Sequence, residues 1–332
     1  MDVINQYAFG QDDNYLMEPD FKASWEKTLK GAGRSFGFIR QFPFVLSLVR
    51  VLPLRVLALL QPRLVLMVEW QIAARKKIDV LLKTTGSTST AEKTKPRSLF
   101  EAMRDSKLPP HEKSAGRFFD EAQTWIGAGT ETVAQALSTI TCHILSNKDK
   151  LGSLKRVLKE AMPTPTDHLP ISTLEQIPYL AAVISEGLRV SNGLTTRLPR
   201  LARADEPMVY QDWEIPFGTP VSATAYFSLQ SPAIFPEPEK FQPERWLLPN
   251  GEFNKGLLKY LVNFGRGTRQ CLGMNLAYGE LYLTISSIFR RFEMELFETT
   301  TDDVKTVHDF FVAAPGLQSQ GVHVTITGEA KE

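Results

Sequence analysis

From Ala115 to Ser146 apolar residues recur at helical spacing, including Phe118, Phe119, Ala122, Trp125, Ile126, Leu137, Ile140 and Ile144. The run is longer than a surface helix usually is, so it predicts one long, mostly buried helix. Shorter helices are predicted around Phe21 to Lys30, through Ile72 to Ile78, from Lys148 to Ala161, from Pro178 to Val190, and from near Leu272 to Phe289. Pro163 and Pro165 end the third of these, and Pro178 suits the first turn of the fourth. Strand-like runs are few. Met208 to Gln211 and Val221 to Ala225, joined through Pro216-Phe217-Gly218-Thr219-Pro220, read as a strand pair with a tight turn. Met294 to Phe297 and Val322 to Ile326 are further candidates. The expected fold class is therefore mainly α with small β-sheets (α+β). Residues 231–263, dense in Pro, Gly and aromatics, read as long ordered coil. Residues 84–97, rich in Ser, Thr, Gly and Lys, read as an exposed loop rather than a linker, which leaves 1–332 as a single domain.

Composition excludes more than it selects. Lys and Arg total 38 against 37 Asp and Glu, so nothing favours nucleic acid or another polyanion. With two cysteines, Cys142 and Cys271, a disulfide framework is not expected and a reducing compartment is. No signal peptide or spanning run is visible. Between Phe42 and Trp70 an apolar segment is broken by prolines and arginines. Two readings stay open for 42–70: a pair of core-facing helices, or a segment in peripheral contact with a membrane interface.

The most informative segment is Phe264-Gly265-Arg266-Gly267-Thr268-Arg269-Gln270-Cys271-Leu272-Gly273. Three glycines in ten residues imply positive φ angles or close approach of another group. Cys271 falls at the predicted start of a helix, where unpaired N–H groups and the dipole favour a thiolate. Arg269 supplies a cation suited to a carboxylate. For a lone cysteine the default reading is a core thiol beside a glycine turn. Elsewhere, Glu186 and Arg189 share a helix face. Gly127 and Gly129 sit inside the long helix, each costing about 1 kcal/mol relative to Ala; they read either as close helix packing or as a locally opened helix passing a flat cofactor. The five histidines share no metal-ligand spacing, and Cys142 reads as core.

The spacing of Phe, Gly, Arg, Cys and Gly in 264–273 resembles the haem-binding signature of the cytochrome P-450 family, without a gap. The family's other motifs follow in order: Ala128-Gly129-Thr130-Glu131-Thr132, Glu186-Gly187-Leu188-Arg189, and Phe241-Gln242-Pro243-Glu244-Arg245-Trp246. The resemblance implies Cys271 as the axial ligand to the iron of haem b, with a donating sulfur that favours O–O cleavage. It implies Arg269 and Arg200 as partners of the haem propionates, Arg200 being preferred to Arg197. Phe264 would shield the sulfur, and Gly265, Gly273 and Gly129 would frame the cofactor. Thr132 and Glu131 would manage protons for bound oxygen, although Val133 stands where a second hydroxyl is common. Glu186, Arg189 and Arg245 would form a buried structural triad, while 193–196 and 313–317 would line the substrate pocket.

The implied function is a haem-thiolate monooxygenase inserting one oxygen atom from O2 into an apolar small molecule in fungal secondary metabolism. Electrons would come from NADPH through a separate NADPH-cytochrome P-450 reductase, since this chain has no flavin or nicotinamide fingerprint. The alternatives are a non-catalytic haem-binding remnant and an isomerase or dehydratase on the same fold. The resemblance begins part-way into the family fold. The N-terminal anchor, first helices, part of a sheet, and a Trp-x-x-x-Arg helix that grips a propionate have no counterpart here. The family locates to the endoplasmic reticulum membrane surface; without an anchor, the cytoplasm is the other expectation.

Overall fold

Ala115–Leu145 (α5) is one continuous α-helix, and its burial shows why. Phe118, Phe119, Ala122, Ile126, Val133, Ala136, Ile140 and Ile144 are all buried, three or four residues apart along most of the run, so one stripe of the helix is apolar from end to end. The computed structural model describes residues 1–45, 56, 63–83, 98–203 and 205–330. The expected loop at 84–97 lies outside the described residues, as do 46–55 and 57–62 of the segment between Phe42 and Trp70. The chain packs as two compact units, Met1–Glu131 and Thr132–Glu332.

In the first unit, Asp2–Phe9 (α1), Ala23–Gln41 (α2), Arg63–Lys83 (α3) and Leu99–Arg104 (α4) precede the first half of α5. Helix α2 packs on α3, and α1 on α4. The core is aromatic. Phe100, fully buried, has ring centroids of Phe9, Phe118 and Trp125 at 4.9, 5.5 and 4.7 Å. A capping box starts α4: Ser98 Oγ accepts from the Glu101 N–H, and the Glu101 carboxylate accepts from the Ser98 N–H. Helix α1 is absent from the sequence expectations because two turns give too few repeats for a period to register.

The second unit is built on Lys148–Ala161 (α6), Pro178–Ser191 (α7) and Met274–Arg291 (α8). Asn147 caps α6 by accepting from the Lys150 N–H. Helix α7 is buried on almost every side, from Tyr179 to Ser191. Gly187 is what lets it approach α5, because a Cβ there would lie 2.0 Å from Ile140 Cγ1. Helix α8 packs against α6 and α7. Near its end the buried Arg290 donates to the carbonyls of Met162 and Pro163, tying α8 to the chain leaving α6.

Among the described residues, four two-stranded antiparallel sheets complete the unit. Arg200–Leu201 (β1) pairs with Pro220–Val221 (β4), Met208–Tyr210 (β2) with Trp213–Ile215 (β3), Phe292–Leu296 (β5) with Val324–Glu329 (β8), and His308–Phe310 (β6) with Val312–Ala314 (β7). This corrects the expected pairing of 208–211 with 221–225. Gln211 adopts φ 53°, so β2 turns back at Gln211-Asp212 onto β3. The Pro216–Pro220 turn, with Gly218 at φ 82°, instead delivers β4 to β1. Residues 231–263 are coil punctuated by short 3-10 helices at Pro243–Trp246 and Lys255–Tyr260.

Candidate active site

Glu186 is heavily engaged by the groups around it. It is fully buried on α7, and five donors converge on its two oxygens. Oε1 accepts from Arg189 Nη2 at 2.8 Å, from the Gln242 N–H at 2.8 Å and from Arg245 Nε at 3.1 Å. Oε2 accepts from Arg189 Nε and Trp246 Nε1, both at 2.9 Å. Arg189, also fully buried, spends its remaining donors on the carbonyls of Leu229 and Lys240. Arg245 donates to the Pro236 carbonyl. The structure thus brings Glu186, Arg189 and Arg245 together and adds Trp246, whose buried indole N–H needs an acceptor. One carboxylate and two guanidinium groups leave net positive charge, dispersed over the carbonyls around them.

This network braces the coil that leads to the cysteine. Asn263 donates from Nδ2 to the Leu188 carbonyl of α7 at 2.6 Å, fixing the residue before Phe264. Phe264 packs its ring 5.2 Å from that of Tyr278 on α8. The loop then closes on itself: the Cys271 N–H donates to the Phe264 carbonyl at 2.8 Å, and the Gly265 N–H to the Val262 carbonyl. Gly265 and Gly267 lie at φ 69° and 73°, where a side chain would be strained. Gly273 is the N-cap of α8 at φ −88°, and a Cβ there would meet no atom. Cys271 precedes that cap by two residues, one turn earlier than a residue within the helix, and it is exposed. Leu272 beside it is 85% exposed. The other cysteine, Cys142, is buried, and burial pushes its thiol up to about 11.

The remaining expected residues are spread over both units. Glu131 and Thr132 are half-buried on α5, the first ending one unit and the second opening the other. Val133 is buried in the core of the second unit. Arg269 is exposed in the turn Gly267–Arg269. Arg200 is exposed on β1, with Nη1 donating to the carbonyls of Leu198 and Pro199. One expectation is corrected. Helix α5 is continuous through 127–132 rather than locally opened, and a Cβ on Gly129 would lie 2.9 Å from Ile4 Cγ1 of α1. Close helix packing on Ile4 is enough to require a glycine at 129. Gly127 has no atom within 4 Å of its Cβ position. Gln135, one turn beyond Thr132, was not anticipated. Its Nε2 donates to the carbonyls of Ser191 and Ala313, joining α5 to the end of α7 and to β7.

The donor set fits a haem. Among the described residues no group of three His, Cys, Asp or Glu could hold a bare metal ion, whereas one exposed thiol in a hydrogen-bonded loop suits an iron that arrives with four ligands of its own. Exposed Leu272 beside the sulfur, the empty Cβ position of Gly273, and Arg269 offer an apolar contact, room and a cation to a flat dianion. Among the described residues no helix is long and apolar enough to cross a membrane.

Comparison with known proteins agrees with this donor set. The family model described as Cytochrome P450 matches residues 1–318. Cytochrome P450 monooxygenase claJ of Penicillium crustosum is 39% identical over 98% of this chain and 73% of its own length. Cytochrome P450 monooxygenase sdnE of Sordaria araneosa is 40% identical over 98% of this chain and 65% of its own. Tryptophan 6-hydroxylase fscE of Fusarium equiseti is 38% identical over 98% and 63%. The chain thus spans roughly two thirds of the length of these fungal oxidoreductases. With the Cys271 loop, the Glu186 network and a match over nearly all its residues, the chain belongs to the cytochrome P450 family.

Proposed function

We propose that this chain is the haem-holding part of a monooxygenase that inserts one oxygen atom from O2 into an apolar small molecule of fungal secondary metabolism. The observation that carries the reading is the exposed Cys271 thiol in a loop closed by its own N–H. Bound haem b would supply a redox-active iron, to which the Cys271 sulfur would donate electron density. The chain's residues do the rest. Phe264, packed on Tyr278 and accepting the Cys271 N–H, would hold the backbone that carries the sulfur. Arg269 pairs with one propionate; Arg200, whose Nη1 alone is engaged among the described residues, pairs with another. Glu131 and the Thr132 hydroxyl, half-buried on α5, would hold and move protons for the reaction. Buried Val133 takes no part, so the relay is limited to these two groups. Residues 193–196 and 313–317 line the substrate pocket.

The match over 1–318 runs through both units and supports reading 1–332 as one domain. NADPH-cytochrome P-450 reductase is the electron donor. Exposed Phe42 and Phe44 support peripheral membrane contact through 42–70 and a place at the endoplasmic reticulum surface. The test is turnover with reductase, NADPH and candidate substrates such as tryptophan, which the Fusarium equiseti relative's name gives as its substrate: NADPH consumption should match product formed, and Thr132→Ala should keep consumption while losing product. Product without NADPH consumption would instead favour an isomerase or dehydratase. Haem bound without turnover of any substrate would favour a non-catalytic haem-binding remnant, and failure to hold haem would overturn the reading.

A further inference from the structure

Helix α8 grips the cysteine loop at both of its ends. Met274 and Tyr278 lie one turn apart on the same face of α8. Tyr278 takes the start of the loop, its ring 5.2 Å from that of Phe264. Met274 takes the end: Gln270 donates from Nε2 to Met274 Sδ at 3.1 Å. The backbone of Gln270 is itself fixed, its N–H donating to the Gly267 carbonyl at 3.0 Å, so the side chain reaches α8 from an anchored base. Further back, Arg266 donates to the Leu258 carbonyl at 2.8 Å and Asn263 to the Leu188 carbonyl, which ties down the rest of the loop.

The stretch between Gln270 and Met274 is the part that side-chain packing holds least. Cys271, Leu272 and Gly273 are all exposed, and Gly273 adds the backbone freedom of a residue without a Cβ. The bond from the Cys271 N–H to the Phe264 carbonyl fixes the near side of this stretch. The Gln270 amide reaches across all three residues to the first residue of α8.

We propose that Gln270 and Met274 form a clasp that positions the Cys271 sulfur, with Gln270 a positioning residue for the axial ligand. The proposal rests on the reading of Cys271 as the haem ligand. A thioether is a weak acceptor on a flexible side chain, so the clasp adds little to the stability of the whole unit. Its effect comes from its place. A loop end free to swing carries the sulfur away from the position an axial ligand must keep. The competing reading is a surface contact with no consequence for the sulfur.

The test follows the thiolate-type band of the haem-reconstituted, reduced and carbon monoxide-treated full chain over time. Beside it run hydrogen exchange of the peptide 264–274 in the haem-free chain, and urea unfolding. Gln270→Ala and Met274→Leu should each lose the band about threefold faster than wild type, the low end of one net hydrogen bond, and speed exchange by a similar factor. The double variant should do no more than either single, because both remove the same contact. Met274→Gln, which sets a carbonyl oxygen in place of the thioether, should keep wild-type values. Urea midpoints should stay unchanged, since Gln270 is exposed and Leu replaces Met at nearly equal volume; this separates a positioning role from a structural one. Band lifetime and exchange equal to wild type in Gln270→Ala, or additive losses in the double variant, would overturn the proposal. A folded wild type without the band would count against the haem reading instead, and unchanged exchange in Gln270→Ala would then still overturn the clasp.

Discussion

Glu186→Gln is the sharpest perturbation of the frame beneath the cysteine. The substitution keeps shape and volume but removes the only anion in the cluster. Oε1 accepts three hydrogen bonds and Oε2 two, so whichever position the new NH2 group takes, it confronts at least two donors. It also removes the carboxylate to which both Arg189 and nearly buried Arg245 salt-bridge. Breaking a buried pair on one side costs about 3–5 kcal/mol, a large part of the ~5–15 kcal/mol that holds a domain folded. At roughly 2–4 °C per kcal/mol for a unit of this size, Tm should fall by about 6–20 °C. The assay is thermal and urea unfolding of the purified chain, wild type against Glu186→Gln, with Arg189→Met alone and combined to read coupling. The double variant should lose less than the two singles added together. A loss below ~1 kcal/mol, or strict additivity, would refute the reasoning that these groups act as one buried network.

Gly187→Ala should destabilise by at least ~1–3 kcal/mol, since its Cβ would lie 2.0 Å from Ile140; Ile140→Ala in the same chain should recover part of that in urea unfolding. The two glycines of α5 should respond oppositely. Gly127→Ala meets open space and should stabilise by up to ~1 kcal/mol, whereas Gly129→Ala, tight against Ile4, should not unless Ile4 is also shortened. His143 stacks on Phe241 at 4.9 Å, and burial, with Arg189 adding to it and Glu186 opposing, holds its pKa down at about 4 against an ordinary 6.5. Above pH 6.5 both states carry neutral His143 and it contributes no slope. Between pH 6.5 and 4 the unfolded chain binds a proton that the folded one refuses, so stability falls by at most ~1.4 kcal/mol per pH unit. His143→Phe should flatten that part of the urea-midpoint profile, and an unchanged profile would contradict the assignment.

The long helices were legible because α5, α6, α7 and α8 repeat an apolar face often enough to register, and Pro178 marks one of their starts. Helix α1 was too short for that. The β2 turn was misplaced because Gln211-Asp212 carries no strong turn signature, whereas Pro216–Pro220 does and drew the pairing to itself. At the site, Glu186, Arg189 and Arg245 could be named from motif order alone. Trp246 stood inside the quoted segment but was not assigned, although a buried indole N–H must find an acceptor. Gln135 and Asn263 bond to main-chain carbonyls, and no residue pattern announces a partner of that kind. Gly129 shows the opposite limit: a motif position carried a cofactor reading, and the three-dimensional neighbour, Ile4, supplies a packing one.

The central claim is that Cys271 is the axial ligand of a haem. The direct measurement is the absorption spectrum of the haem-reconstituted, reduced and carbon monoxide-treated chain, wild type beside Cys271→Ala, with urea unfolding to show that both are folded. The account predicts one haem per chain and a thiolate-type band in the wild type, and loss of that band in Cys271→Ala. The same band in both proteins, or none in a folded wild type supplied with haem, would contradict it.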